Sequence, residues 1–326
     1  MQHRSHGKWG RHGVGALCLI TLLGCGSESE TIVNDVPESE NLFFTEDGRL
    51  FVSGGDNVFE IIQQEDGSYD KLDTFQGDCL IEGTILRQGY VYAVCSKTRL
   101  SELADSYFLA GQLSEQAPSA EDVIEAGVHP HIQLEVIAPL PELGLPNGID
   151  VDEHGSIFVA DSGKGDIVKI DMATPTEIGS LTVWDENTAM FVNGLNWVGD
   201  RLYYTGLKYN SLLSVFGYVE RNPDGSAGAR HVLFQRWGTV LDDFAPYDGG
   251  FVITDYLKGT VLYWKDGVIM ETAPDTFFAP TAVIPAQPPM FDSSALVVTE
   301  KGIIFNHNPA FGNKVGLFYP GAGWGE

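Results

Sequence analysis

The chain has little positive charge. It contains 19 Lys and Arg residues against 45 Asp and Glu residues, which gives a formal net charge of −26 at pH 7. Such an acidic surface is a poor match for nucleic acid and for anionic lipid headgroups, because both are negatively charged themselves. We therefore expect no nucleic-acid partner. The charge balance suits divalent cations, or small neutral and cationic ligands.

Apolar runs long enough to span a membrane are also missing. Residues 14–23 form a short apolar core behind a basic segment, which predicts a cleaved signal peptide over 1–24. The motif Leu-Leu-Gly-Cys that ends at Cys25 resembles a bacterial lipobox, which implies that Cys25 is lipid-modified and becomes the mature N-terminus. Residues 25–38 are polar and are predicted to form a flexible tether. The expected location is the bacterial cell envelope, with membrane contact only through the lipid.

Cysteine is scarce as well. Of the four Cys residues, Cys18 lies in the signal peptide and Cys25 would carry the lipid. The other two, Cys79 and Cys95, would lie in an oxidising compartment, so we predict a disulfide between them, with two buried thiols as the alternative. The sequence also lacks a Gly-x-Ser-x-Gly motif, and we therefore do not expect a serine hydrolase.

A repeat begins at six polar residues. Gly follows the polar residue in three of the copies, and each copy continues into a turn and a strand rich in aromatic and β-branched residues. The intervals between copies are 42, 65, 46, 49 and 39 residues, and the segments read mainly as strands, which is typical of propeller blades. The sequence therefore predicts an all-β fold, a single six-bladed β-propeller over residues 39–326. The six starts are Glu40, Glu82, Asn147, Asn193, Asp242 and Thr281.

The long second interval predicts an insertion at about residues 101–138. Within it, residues 119–127 are compatible with a helix, because Ser119 and Asp122 resemble a capping box and Gly127 suits a helix end. The segment would be either a lid over one face of the propeller or a surface loop.

Four of the blade starts carry side-chain oxygens that could bind a metal ion: Glu40, Asn147, Asn193 and Asp242. One oxygen ligand at the same place in several repeats is what a cation site on a symmetry axis requires. Two carboxylates and two amides balance a divalent cation and favour Ca²⁺, with Zn²⁺, Mg²⁺ and Mn²⁺ as alternatives. Asp243 follows the ligand Asp242, and we predict that these two carboxylates carry the catalysis, with Asp243 as general base or orienter of water.

The same phrases carry a family resemblance. Residues 145–161, with the phrases at Asn193 and Asp242, resemble the gluconolactonase, senescence-marker-protein and luciferin-regenerating-enzyme family of six-bladed propellers. The resemblance implies one divalent metal held by a Glu, two Asn and an Asp that face the central channel. Two departures leave alternatives open. The family's Pro-Asp-Gly is here Leu-Asp-Asp, so either Asp242 or Asp243 would be the ligand. Glu40 is followed by Asn rather than Gly, which makes Glu82 its rival.

The resemblance implies a metal-dependent hydrolase of lactones or related esters, in which the cation polarises the carbonyl and activates water. Its substrate would be a small lactone or sugar-derived molecule, and we expect a monomer. The alternative is a non-catalytic binding or scaffold lipoprotein with a structural calcium.

Overall fold

The computed structural model describes residues 28–97, 105–114, 132–140, 143–302, 309–321 and 324. These residues form six sheets of four or five strands, arranged as the blades of a propeller. The prediction of an all-β, six-bladed propeller is confirmed. In the described part of the chain, no helix is long and apolar enough to cross a membrane. Cys25 and the helix-compatible residues 119–127 lie outside the described residues.

The strands of each blade follow one another from the channel outward. Blade 1 consists of β2 (Ser39–Phe44), β3 (Leu50–Gly54), β4 (Asn57–Gln63), β5 (Tyr69–Gln76) and the short parallel strand β9 (Ile132–Gln133). Blade 2 consists of β6 (Leu80–Arg87), β7 (Tyr90–Ser96), β8 (Ser106–Gln112) and β10 (Glu135–Pro139). Blade 3 consists of β11 (Pro146–Val151), β12 (Ile157–Asp161), β13 (Asp166–Thr174) and β14 (Glu177–Asp185).

The other three blades follow in chain order around the ring. Blade 4 consists of β15 (Leu195–Val198), β16 (Arg201–Leu207), β17 (Leu213–Arg221) and β18 (Ala227–Trp237). Blade 5 consists of β19 (Leu241–Tyr247), β20 (Gly250–Asp255), β21 (Thr260–Lys265) and β22 (Val268–Glu271). Blade 6 consists of β23 (Pro280–Pro285), β24 (Leu296–Glu300), β25 (Lys314–Tyr319) and β1 (Glu28–Asn34), and a single 3₁₀ turn, Pro309–Phe311, precedes β25.

The hydrophobic core lies between neighbouring blades. Among the described residues there are six buried apolar clusters, and each joins the facing sides of two adjacent sheets. Between blades 2 and 3, for example, Tyr92 and Phe108 pack in one cluster with Ile157 and Val168. This packing follows from the period-2 alternation of the strands, which places apolar side chains on the faces that meet the next sheet.

The first and last strands of the chain close the ring. Strand β1 pairs antiparallel with β25, so an N-terminal strand completes the sixth blade. Composition predicts a flexible tether over residues 25–38, but residues 28–34 of that range form β1. The β-branched residues Thr31, Ile32 and Val33 suit a strand, and Val33 is buried in the cluster between blades 6 and 1.

The predicted insertion at residues 101–138 also contains strands. Strand β8 and strand β10 lie within or at the edge of this range and form the third and fourth strands of blade 2. The extra chain of this blade therefore falls between them.

Cys79 and Cys95, the predicted pair, are joined by a disulfide in the structure. Cys79 lies just before β6 and Cys95 lies in β7, and their Cα atoms are 5.7 Å apart. Both residues are buried in the cluster between blades 1 and 2, so the bond ties two neighbouring strands next to the channel.

Candidate functional site

The six blade starts meet at one end of the central channel. They line a cavity of about 10 Å³, which is about the room that one water molecule needs. The structure therefore brings Glu40, Asn147, Asn193 and Asp242 together, as the repeat predicted. The same cavity is also lined by Glu82, Asn41, Asp243 and Thr281. The individual roles of these residues stay predictions.

Glycine after the blade start allows this close approach. A Cβ on Gly83 would lie 2.2 Å from the carbonyl oxygen of Asn147, and a Cβ on Gly148 would lie 2.1 Å from that of Asn193. Neither distance is compatible with a side chain. The Gly in these phrases is therefore required by the packing of one inner strand against the next, independently of any ligand.

A lysine that the blade starts did not predict contacts two of the residues that line this cavity. Lys301 is the first residue after β24, and it is buried. Its ammonium group forms ion pairs with the carboxylates of Glu40 and Glu82, with 3.3 Å between Nζ and Glu82 Oε2. Glu40 and Glu82, the two candidates for the first-blade ligand, therefore share one cationic partner.

Lys301 left a weak signal in the sequence. It follows Glu300, the last residue of the second strand of its blade. In blades 3 and 5 the second strands end at Asp161 and Asp255, and the positions that correspond to Lys301 are Ser162 and Tyr256. Aligning the second strands as well as the first would have shown a cation at this position in blade 6.

Asp242 has a strongly perturbed carboxyl group. Its Oδ1 accepts a hydrogen bond from Asn193 Nδ2 at 2.6 Å. Burial raises the pKa of Asp242 well above its usual range, and the negative charge of Glu40 raises it further, whereas Lys301 opposes the rise. The carboxyl is therefore held close to other acids and needs a positive charge or a proton nearby.

The arrangement does not fit a bound divalent metal. An ammonium group contacts the carboxylates of Glu40 and Glu82, and the amide of Asn193 presents its N–H group to Asp242, although a metal requires oxygen atoms directed at one point. Among the described residues, no three or more His, Cys, Asp or Glu side chains are arranged to hold a metal ion. The prediction of Ca²⁺, or of Zn²⁺, Mg²⁺ or Mn²⁺ in its place, therefore gains no support from these side chains.

A larger pocket continues along the channel from this cavity. Its volume is about 290 Å³, which approaches the size of small-molecule sites. Its polar lining includes Asn41, Thr84, Asp150, Asn196 and Asp243. The remaining walls are mainly apolar and include Phe43, Phe44, Ile149, Phe244 and Ile284.

Asn41 and Asp243 are joined across this pocket. Asn41 Nδ2 donates a hydrogen bond to Asp243 Oδ2 at 3.0 Å, and Asn41 Oδ1 accepts from the hydroxyl of Thr84 at 3.1 Å. The other oxygen of Asp243 accepts from the backbone N–H of Phe244 at 2.8 Å. These contacts fix the orientation of the Asp243 carboxyl group.

Two carboxyl groups in this pocket have a pKa near neutrality. Burial raises the pKa of Asp243 to about 7, with further increases from Asp150 and Glu40, against the hydrogen bonds from Phe244 and Asn41. Burial likewise raises the pKa of Asp150 to about 7, although the backbone N–H groups of Trp197 and Val151 oppose the rise. Both side chains retain some solvent contact, but protein surrounds them deep in the channel. Asp150 was not among the predicted site residues because it lies three residues after a blade start.

A second cleft, of about 430 Å³, lies between blades 3 and 4, away from the channel. Its charged groups already form ion pairs: Arg221 contacts Asp152 at 3.0 Å, and Lys169 contacts Asp171 at 3.1 Å. His154, which lines the same cleft, is exposed in a turn. These paired charges argue against a catalytic role for the cleft.

Comparison with solved structures identifies similar propellers. The PQQ-bound aldose sugar dehydrogenase from Streptomyces coelicolor superimposes with a TM-score of 0.62 at 14% identity, over 90% of this chain and 98% of that protein. The luciferin-regenerating enzyme gives 0.62 at 14% identity, over 91% and 96%. A candidate gluconolactonase gives 0.60 at 13% identity, over 90% and 92%. The chain shares their fold. No family model and no curated protein matches the sequence, so at these identities the likeness establishes the fold alone.

Proposed function

We propose that the protein hydrolyses a lactone or related ester of a small, sugar-related molecule in the channel pocket. The observation that carries this proposal is the placement of Asp150 and Asp243, from blades 3 and 5, on one pocket of about 290 Å³. Sugar dehydrogenases and a candidate gluconolactonase are among the proteins with this fold. Their names support a sugar-related small molecule as the substrate class.

One of the two carboxyl groups would act as the general base and the other as the general acid. In its ionised form Asp243, oriented by Asn41 and the N–H group of Phe244, accepts a proton from a water molecule. The water oxygen bonds to the carbonyl carbon, and the bond from that carbon to the ring or ester oxygen breaks. In its protonated form Asp150 donates its proton to the departing oxygen. A pKa of about 7 for each group suits both roles at neutral pH.

In the reaction expected from the family resemblance, a divalent cation polarises the carbonyl. Because Lys301 contacts the carboxylates of Glu40 and Glu82, no step of the proposed reaction passes through a metal. The apolar wall of the pocket, including Phe43 and Phe244, would exclude water from one side of the substrate and strengthen interactions with the polar wall.

The proposal is tested with a panel of sugar lactones and simple esters, measured by proton release against the uncatalysed rate. Asp243→Asn and Asp150→Asn should each lower kcat by about 10²- to 10⁴-fold, the usual contribution of a general acid or base. Asp171→Asn, a surface carboxylate on β13, is the control and should keep full activity.

The pH profile gives a second readout. Activity should rise as Asp243 loses its proton and fall as Asp150 loses its own, which produces a bell with both flanks near pH 7. The residual activity of Asp150→Asn should lack the alkaline flank. Turnover that is unchanged in both variants would remove these residues from the mechanism. Ligand binding without turnover across the panel would favour a binding lipoprotein instead.

A further inference from the structure

Lys301 has a fixed place in the fold. Its backbone N–H donates to the carbonyl oxygen of Ala279 at 3.1 Å, which ties the end of β24 to the segment before β23. The next residue, Gly302, has φ of +75°, and a Cβ there would lie 1.6 Å from the carbonyl oxygen of Phe311. Position 302 therefore admits only glycine, and this requirement fixes the backbone directly after Lys301.

The ammonium group links two blades to a third. Glu40 belongs to the innermost strand of blade 1 and Glu82 to that of blade 2, while Lys301 comes from blade 6. Glu40, Glu82 and Lys301 are each at most 6% exposed. Buried carboxylates require a positive partner, and here this partner is covalently part of the chain.

The lysine and a divalent cation would use the same atoms. A divalent cation at the blade starts would coordinate Glu40, and the ammonium group already contacts Oε2 of that residue and Oε2 of Glu82. Two cations cannot both contact one buried carboxylate oxygen without strong repulsion between them. The ammonium group supplies one charge and three N–H donors, and it has no open coordination position.

We propose that Lys301 is a built-in cation that takes the place of a divalent metal ion in the channel of this propeller. One of the two negative charges of Glu40 and Glu82 is then balanced by the chain itself, and the site does not depend on the supply of metal. Removal of the ammonium group converts the same residues into a cation site. This inference does not rest on the proposed hydrolysis, because it concerns binding alone.

The test is calorimetric titration of the purified protein with Ca²⁺ and with Mn²⁺. The variants are Lys301→Met, which removes the charge at similar length, Lys301→Arg, which keeps it, and Lys169→Met, which removes a surface lysine paired with Asp171. We expect wild type, Lys301→Arg and Lys169→Met to bind neither ion more tightly than about 1 mM, and Lys301→Met to bind one ion at least about tenfold more tightly.

Thermal unfolding with and without the cation provides an independent readout. Only Lys301→Met should gain thermal stability on addition of Ca²⁺ or Mn²⁺, because a ligand stabilises the state that binds it. If Lys301→Met does not fold, Lys301→Gln takes its place. Stoichiometric binding by wild type with the affinity of the variant would overturn the proposal. Absence of binding in both folded charge-removing variants would overturn it as well.

Discussion

Replacement of Asp150 by Asn should make the protein more stable at alkaline pH and not at acidic pH. The change removes the ionisable group but keeps the shape of the side chain. One acceptor oxygen remains for the backbone N–H of Trp197, which in wild type donates to Asp150 Oδ2 at 2.6 Å. In wild type, burial raises the pKa of Asp150 from 3.8 to about 7. The folded state therefore holds this proton more tightly than the unfolded chain.

The sign of the effect follows from that difference. The stability associated with the proton is fully present below pH 3.8 and is lost as the pH rises through about 7. A rise of about three pKa units at about 1.4 kcal/mol each corresponds to about 4 kcal/mol. Because Asp150 interacts electrostatically with Asp243 and solvent reaches the pocket, we expect about 2 to 4 kcal/mol of the unfolding free energy to depend on Asp150.

The assay is urea unfolding at about pH 4 and at about pH 8.5, followed by circular dichroism. Asp150→Asn should exceed wild type in unfolding free energy by about 2 to 4 kcal/mol at the higher pH and by little or nothing at the lower. Asp171→Asn is the control, and its effect on the unfolding free energy should have the opposite sign. Burial would raise the pKa of Asp171, but hydrogen bonds from Ser156 and Lys169 lower it overall, so this variant should lose stability at the higher pH. An equal effect of Asp150→Asn at both pH values would show that the proton on Asp150 does not contribute to the stability of the folded state.

Three further outcomes are expected. Replacing both Cys79 and Cys95 by Ala opens a link with a sequence separation of 16 and should lower the unfolding free energy by about 3 kcal/mol in urea titration; unchanged stability would contradict this. Gly148→Ala places a Cβ 2.1 Å from the Asn193 carbonyl oxygen and should cost about 1 to 3 kcal/mol in the same assay. We propose a lipid anchor on Cys25, so Cys25→Ser should move the protein from the detergent to the aqueous phase and remove the acyl mass from its N-terminus, and an unaltered mass would exclude lipidation.

The fold could be predicted from the sequence because its determinants are local and repeated. Each blade start is followed by a turn and by strands that alternate in polarity, and six copies specify a propeller. Strand β1 lacked such a signal, since its pairing with β25 joins residues nearly a whole chain apart, for example Val33 and Val315. Its acidic composition is typical of a flexible tether. The strand has a partner, β25, only because the two ends of the chain meet where the ring closes.

The candidate site could be predicted only in part. The convergence of Glu40, Asn147, Asn193 and Asp242 follows from ring symmetry, because equivalent positions of equivalent strands must face one axis. The presence of Lys301 does not follow from it, since this residue belongs to the end of the second strand of a single blade. A repeat predicts only the residues that the blades have in common. The charge in the channel also depends on Lys301, which is present in blade 6 alone among the positions compared.

The two departures from the family pattern, Asn41 and Asp243, also lie where single blades differ from the repeat. At the position after the blade start, blades 2, 3 and 4 carry Gly, whereas blade 1 carries Asn41 and blade 5 carries Asp243. Taken singly, each departure weakened the resemblance. In the folded ring they contact each other at 3.0 Å, and Asn41 also accepts from Thr84 of blade 2. Because blade 6 separates blades 1 and 5 in the ring, no local sequence pattern indicates this pair. The two substitutions therefore form one structural unit, which orients the carboxyl group that we assign as the base.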